Sequence, residues 1–477
     1  MDELLRPEEI SPEDWVATPA GVRTFILTLV PLREQVALLE ARLNQHAQNS
    51  SKPPSTDPPS APARPAKVAR GKPKTKGAQP GHPNPQRELL PPAQVDQIVP
   101  FHPTQCPCCQ AVLASTHPDA VPPRRQQVWE LPEIRPSVTE YQYRTVACPD
   151  CGSLVTAPRP PEVPPGAFGP QVVAMVAALH GRFRLSNREL AEWCAQGYQL
   201  PISVGSVAHL QQVASAALAP AYGEVQQVVR AQPQTNADET SWRQKAKRAW
   251  LWVAVTAVAT LFLVHASRGA KACTALLGAD YAGVVGSDRY RVYNGIPADR
   301  RQLCWAHLVR NLRGLADHHR PWSRPASDLL ALTEVLFGLW QRFGTHQIDR
   351  PLLQAALLPI QQAMWEIVTT GQHETNAFGS FCQDVLPRWD ALWTFASVDG
   401  VEPTNNAAER ALRPAVLWRK GCFGTQSAAG SRFVERMLTV SATCRQQERP
   451  LLPYLTAAVT AYWAGQPAPV LIPADTP

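Results

Sequence analysis

Hydrophobic positions recur in steps of three and four between residues 22 and 43: Val22, Phe25, Leu29, Leu32, Val36, Leu39 and Leu43. The spacing predicts an amphipathic helix, interrupted at Pro31 and running to about Asn44. It suits a coiled-coil seam or packing on the same chain. From 47 to 90 the pattern vanishes into Pro, Ser, Ala and Lys, a linker composition that cannot form a core. Residues 128–146 are strand-rich, and a β-hairpin is expected there. Residues 165–230 read as helical. Ser186-Asn187-Arg188-Glu189 is a capping box that opens a helix over Asn187–Ala195. After a turn at Gly197 a second helix begins near Ser203 or Ser206, giving a candidate helix-turn-helix with Arg182, Arg184 and Arg188 beside it.

From about 231 the texture changes. Thr235–Thr240 ends one strand, Trp250–Thr256 and Thr260–His265 form a strand pair, and Ala282–Asp288 is a strand ending in an acid. Helices are expected over Lys271–Leu277, Gln302–Leu315, Arg432–Gln446 and Leu451–Ala464, and 321–396 is helical in pattern. The apolar run Ala249–Ala266 falls just under the ~20 residues of a membrane span and reads as two buried strands. Thr404–Pro414 reads as a short helix, capped at Thr404 or Asn405 and ended by Pro414. One face of it gathers Asn405, Asn406, Glu409 and Arg413.

The 477 residues suffice for several domains, and the patterning divides them into five. These are a helix within 1–46, a basic linker over 47–90, a zinc ribbon over 91–160, a helical domain over 165–230 and an α/β domain over 231–477 with an all-α insertion near 316–396. Net charge is +7, and residues 61–90 alone carry seven Lys or Arg against one Glu. Lys67, Arg70, Lys72, Lys74 and Lys76 form a cationic string that suits DNA phosphates, although a solvated tail would look alike. Eleven cysteines in so long a chain are no disulfide scaffold. Cys106 with Cys109 and Cys148 with Cys151 form two C-x-x-C pairs, a ligand set for structural Zn²⁺, with Cys108 as an extra thiol. The start Met1-Asp2-Glu3 lacks the features of a signal peptide, and a cytoplasmic protein is expected.

Asp238 and Asp288 stand at expected strand ends and Glu409 on a helix. Neighbouring strands can bring two carboxylates to bridging distance, and a packed helix can add a third. Such a set suits two Mg²⁺ (or Mn²⁺) ions for phosphoryl transfer. Glu239 competes with Asp238, and Asp280 and Asp299 compete with Asp288.

Ala237-Asp238-Glu239-Thr240, Asp288-Arg289-Tyr290, Cys304-Trp305-Ala306-His307 and Asn405-Asn406-Ala407-Ala408-Glu409-Arg410-Ala411-Leu412-Arg413-Pro414 resemble the motifs of insertion-sequence-66 family transposases. Gly77–His82, the two knuckles and Pro453-Tyr454-Leu455 extend the resemblance over nearly the whole chain. It implies a DDE-type enzyme with an RNase H-like core, in which Asp238, Asp288 and Glu409 are the catalytic metal ligands. Departures lie at Ser241-Trp242, in the Cys-Pro-Cys-Cys knuckle and after His307. Arg310, Arg313, Arg410 and Arg413 are candidate phosphate contacts, with His307, Asn405 and Asn406 as auxiliaries. The expected activity is cleavage at element ends and strand transfer into target double-stranded DNA. A dimer or larger assembly on bacterial nucleoid DNA, with accessory proteins of the same element, would carry it out. The alternatives are an inactive zinc-ribbon regulator and a nuclease that cuts without joining.

Overall fold

The computed structural model describes residues 11–23, 26, 88–116, 118–317 and 322–473. Most of the heptad segment and of the linker, including Lys67, Arg70, Lys72, Lys74 and Lys76, lies outside the described residues. The chain forms two compact units, 63–136 and the remainder.

In the smaller unit, the Gln127 side chain holds the Leu90 backbone on both sides, and Gln105 bridges to Val112. The expected hairpin over 128–146 is not formed. Within that range only Thr145–Ala147 (β1), which belongs to the larger unit, is a strand, and its partner is Leu154–Thr156 (β2), beyond the second knuckle. Pro132 and Pro136 explain the difference, because neither offers an N–H to a ladder.

The larger unit is a mixed α/β structure. A short helix, α1 (Pro12–Ala17), starts at Ser11, whose side chain caps it. Four helices precede the main sheet: α2 (Pro170–Gly181), α3 (Asn187–Tyr198), α4 (Val204–Ala217) and α5 (Ala219–Ala231). The capping box forms: Ser186 Oγ accepts from Glu189 N, and Glu189 accepts from Ser186 N. Ser203 caps α4. Five strands follow: β3 (Gln234–Gln244), β4 (Lys247–Val255), β5 (Thr260–His265), β6 (Val284–Ser287) and β7 (Arg301–Leu303), with α6 (Ala270–Leu277) between β5 and β6. Their spatial order is β5-β4-β3-β6-β7. The first three are antiparallel, and β6 and β7 run parallel to β3.

The apolar run at 249–266 is therefore the β4–β5 hairpin. Among the described residues no helix is long and apolar enough to cross a membrane. A second apolar core belongs to the helical block: α7 (Trp305–Ala316), α8 (Ser323–Gly344), α9 (Arg350–Gly371), α10 (Ala377–Val385) and α11 (Thr394–Ser397). The chain then returns to the first core through α12 (Asn406–Cys422), α13 (Ala428–Gln446) and α14 (Leu451–Trp463).

Two expectations need correction. Asp238 lies in the middle of β3, not at its end. The strand is mostly polar, but Thr235, Ala237, Glu239 and Trp242 are buried, so burial continues well past Thr240. Pro414 does not end α12, which runs on to Cys422. An interior proline costs about 3 kcal/mol. Here Leu412, Ala415 and Trp418, buried in the core around β3 and β4, hold the helix together.

Both edges of the sheet are occupied by side chains. On β5, Thr260 N donates to Thr443 Oγ1 (3.2 Å), Phe262 N to Thr439 Oγ1 (2.9 Å) and Val264 N to Glu435 Oε1 (2.7 Å). The three acceptors are spaced four residues apart on α13, so one helix face meets alternate residues of the strand. On β7, Thr394 Oγ1 donates to Arg301 O and Phe395 N donates to Gln302 Oε1, each at 2.7 Å.

Burial pushes the Glu435 carboxyl up to about 7, against a pull from the Val264 N–H and the Arg436 and Arg432 charges. A carboxyl raised in the folded state costs stability as pH climbs from its unfolded value near 4.5 through 7, and the cost is constant above. Glu435→Gln keeps the acceptor for Val264 without the charge. It is expected to gain about 3 kcal/mol over the native chain at pH 8 and little at pH 4.5, read from urea melts at the two values.

Candidate active site

β3 and β6 lie side by side with Asn236 opposite Gly286. Two residues further along come Asp238 and, just past the end of β6, Asp288. Continuing the register sets them one strand spacing apart, roughly 4.8 Å, on one face. Gly286 lets the Asn236 side chain lie against it, and a Cβ there would push Asn236 Oδ1 aside. Asp238 Oδ1 accepts from Glu239 N, and Asp288 Oδ1 accepts from Tyr290 N, each at 2.8 Å. The buried Arg301 braces the second aspartate from behind, donating from Nη2 to Asp288 O (2.8 Å) and from Nε to Ser287 Oγ (3.2 Å).

Glu409 comes from the first turn of α12. Asn405 fixes that turn: its Nδ2 donates to Ala237 O (2.8 Å) and its N to Cys304 Sγ (3.1 Å). Asn405 Oδ1 is buried with no hydrogen-bond partner. Asn406 is the first residue of the helix and is half-buried. Glu409 Oε1 accepts from Arg310 Nη2 at 3.0 Å, with His307 Nε2 at 3.6 Å. Burial, then the Arg310 and Arg289 charges, push His307 down to about 3, so its imidazole is neutral.

The three acids share one electrostatic field. Burial raises the Asp238 carboxyl well above the usual carboxylate range, and Glu239, Asp288 and, least, Glu409 raise it further. Glu239 belongs to the other face of β3 and is already matched, by Arg268 at 2.9 Å and by the Tyr293 hydroxyl at 2.9 Å. Asp280 and Asp299 are exposed. An all-oxygen, anionic donor set of this kind fits a hard divalent cation. Among the described residues no three His, Cys, Asp or Glu side chains converge closely enough to ligate one ion as they stand. Glu409 is paired with Arg310 instead.

The cysteine pairs repeat one geometry. Cys106 N donates to Ala111 O and Gln110 N to Cys106 O (both 2.9 Å). Cys148 N donates to Ser153 O (2.8 Å) and Gly152 N to Cys148 O (2.9 Å). Gln110 and Gly152 both take positive φ, 59° and 73°. The match pairs Cys109, not Cys108, with Cys151. The backbone N–H groups of Cys109 and Cys108 lower the Cys106 thiol, and Ser153 lowers that of Cys151, which favours thiolates.

Of the basic residues singled out from the sequence, Arg310 is engaged with Glu409, while Arg313, Arg410 and Arg413 are exposed. A further basic feature lies at the far end of the first two main-sheet strands. Arg243, Lys245, Lys247 and Arg248 are all exposed at the tip of the β3–β4 hairpin, and the run Arg-Gln-Lys-Ala-Lys-Arg was legible as a signal.

Residues 165–432, more than half of the chain, match the family described as "Transposase IS66 family". The chain belongs to that family. The IS66 transposases are DNA-processing enzymes, and this membership rests on the segment that contains all three acids. Residues 103–152 match the "zinc-finger binding domain of transposase IS66", which supports zinc binding by the knuckle segment, and residues 17–88 match a family of unknown function (DUF6444). Two proteins of Sinorhizobium fredii (strain NBRC 101917 / NGR234), both titled uncharacterized, are similar to this IS66 family chain. One, y4hP, is 26% identical over 390 residues, covering 73% of this chain and 69% of its own. The other, y4qI, is 25% identical over 248 residues, covering 47% and 46%.

Proposed function

We propose that this protein is a DDE-type transposase that cleaves DNA at element ends and joins the freed 3′ ends to target DNA. The observation that carries the reading is Asp238 on β3 beside Asp288, which follows the end of the parallel strand β6, with Glu409 on α12 within their electrostatic field. The strand order, three antiparallel strands followed by two parallel ones, supports an RNase H-like core interrupted by the α7–α11 block.

Asp238, Asp288 and Glu409 would hold the divalent ions, Mg²⁺ or Mn²⁺. When bound, these supply charge neutralisation at the phosphate and activation of a water or 3′-hydroxyl. The chain's own residues do the rest. Asn405 fixes the start of α12 against β3, and Arg301 fixes the Asp288 backbone. The neutral His307 can donate a hydrogen bond to a phosphate oxygen beside Glu409 without adding charge. The zinc ribbon, the α3–α4 pair, the linker lysines, Arg313, Arg413 and the β3–β4 hairpin tip are assigned to DNA phosphates, and the active species to a dimer or larger assembly on DNA. A strand-transfer assay tests this, using Mg²⁺, a target duplex and a duplex carrying the inverted repeats that flank the gene. Joined products are expected. Nicks without joining would make the protein a nuclease, and binding without either product a regulator.

A further inference from the structure

A cavity of about 380 Å³ opens on the larger unit between the α2–α3 turn, the tip of the β4–β5 hairpin, α12 and α13. Four arginines line it: Arg182 and Arg184 from the turn, Arg410 from α12 and Arg445 from α13. None of the four has an acidic side chain within ion-pair distance among the described residues. The floor is apolar, with Val255, Phe262 and Leu438. The neutral polar groups in the wall already donate within the protein. Thr256 Oγ1 donates to Ala259 O (3.0 Å), Thr260 Oγ1 to Gln446 Oε1 (2.8 Å), Gln446 Nε2 to Thr256 O (3.0 Å) and Ser441 Oγ to Met437 O. The arginines are thus the donors left for a ligand.

We infer that this cavity is a sequence-independent subsite for one nucleotide of a single DNA strand. Its arginines hold the flanking phosphates and its apolar floor takes the sugar and base. The inference rests on the transposase reading and deepens it. Charge selects the ligand, because four unpartnered guanidinium groups around one opening favour a polyanion. The spent polar wall removes base-edge readout, which needs free donors and acceptors. Position relates it to the acids. Val255 is two residues along β4 from Val253, the strand partner of Asp238. Two strand residues of ~3.4 Å and one strand spacing of ~4.8 Å put it roughly 8 Å from Asp238, between two and three nucleotide rises of ~3.4 Å. Arg410 follows Glu409 on the same helix, so a strand held here is linked directly to the helix that presents the third acid.

Arg184 has a φ of +71°, just past the C-terminus of α2, where glycine is the ordinary occupant. Glycine fits that conformation without strain, so the position tolerates loss of the side chain.

The same feature supplies a clean test. Arg184→Gly relieves the backbone while deleting the cation, and Arg445→Gln keeps helix propensity. The full chain carrying both changes is compared with wild type by fluorescence anisotropy on a labelled 20-nucleotide single strand and on its duplex. The expected result is an unchanged melting temperature and a tenfold or greater loss of single-strand affinity near 150 mM salt. The log–log salt dependence should become shallower by about 1.4, because two fewer phosphates are neutralised at ~0.7 each. Equal affinity and slope in the two proteins would overturn the subsite and leave the transposase reading standing. A wild-type chain that bound no DNA would overturn both. If dTMP or inorganic pyrophosphate competes as well as the oligonucleotide does, the site takes a free phosphate compound and the strand assignment fails.

Discussion

Asparagine at position 288 is expected to abolish cleavage and joining together, by a thousandfold or more, about 4 kcal/mol of barrier. DNA affinity should hold within a fewfold, because the exposed cations proposed to meet phosphates are untouched. The proposed mechanism uses one set of carboxylates for both steps, so the loss is expected in both. Residual joining by Asp288→Asn at near wild-type rate would remove this residue from the site. Asp238→Asn should behave alike in activity and differ in stability. The native carboxyl is buried and pushed above its ordinary range by its own desolvation and by its acidic neighbours. A raised carboxyl costs folding energy once pH passes its unfolded value, so the amide should melt a few degrees higher at pH 7. Millimolar magnesium should then raise the melting temperature of wild type and not of the variant, by mass action on the folded form.

The second large effect concerns zinc. Structural zinc contributes roughly 10–16 kcal/mol to small domains that need it. Cys109→Ser and Cys151→Ser are each expected to lose one equivalent of zinc and to leave residues 103–152 open to proteolysis. Cys108→Ser should keep both metal and protection. The distinction follows from the repeated knuckle geometry, in which Cys109 and Cys151 precede the two residues of positive φ. Metal analysis of the three purified variants decides it, and zinc retained by Cys109→Ser would break the pairing with Cys151.

Much of the architecture was legible because it follows from local chemistry. The capping box at Ser186, the cap at Ser203, the β4–β5 pair and the closing helices all rest on short-range signals, and each formed within a few residues of its expected place. The errors arose where distant contacts overruled local preference. Pro414 is a helix breaker by itself, yet Trp418 and Ala415 beyond it are buried in the core. Asp238 looked like a strand end because its neighbours are polar, but Glu239 is buried against Arg268 and Tyr293, a matched set no spacing reveals. The motif acids were visible as residue types. Their common field, the Arg310 contact to Glu409 and the Arg301 brace depend on residues 121, 99 and 13 positions apart, and only the fold could supply them.

The hydroxyls of Thr439 and Thr443 and the carboxyl of Glu435 have a wider consequence. With three N–H groups of β5 taken by α13 and the Arg301 carbonyl of β7 taken by Thr394, the described edges leave fewer backbone groups on which a second strand could pair. An edge strand covered in this way is less open to edge-to-edge pairing between copies.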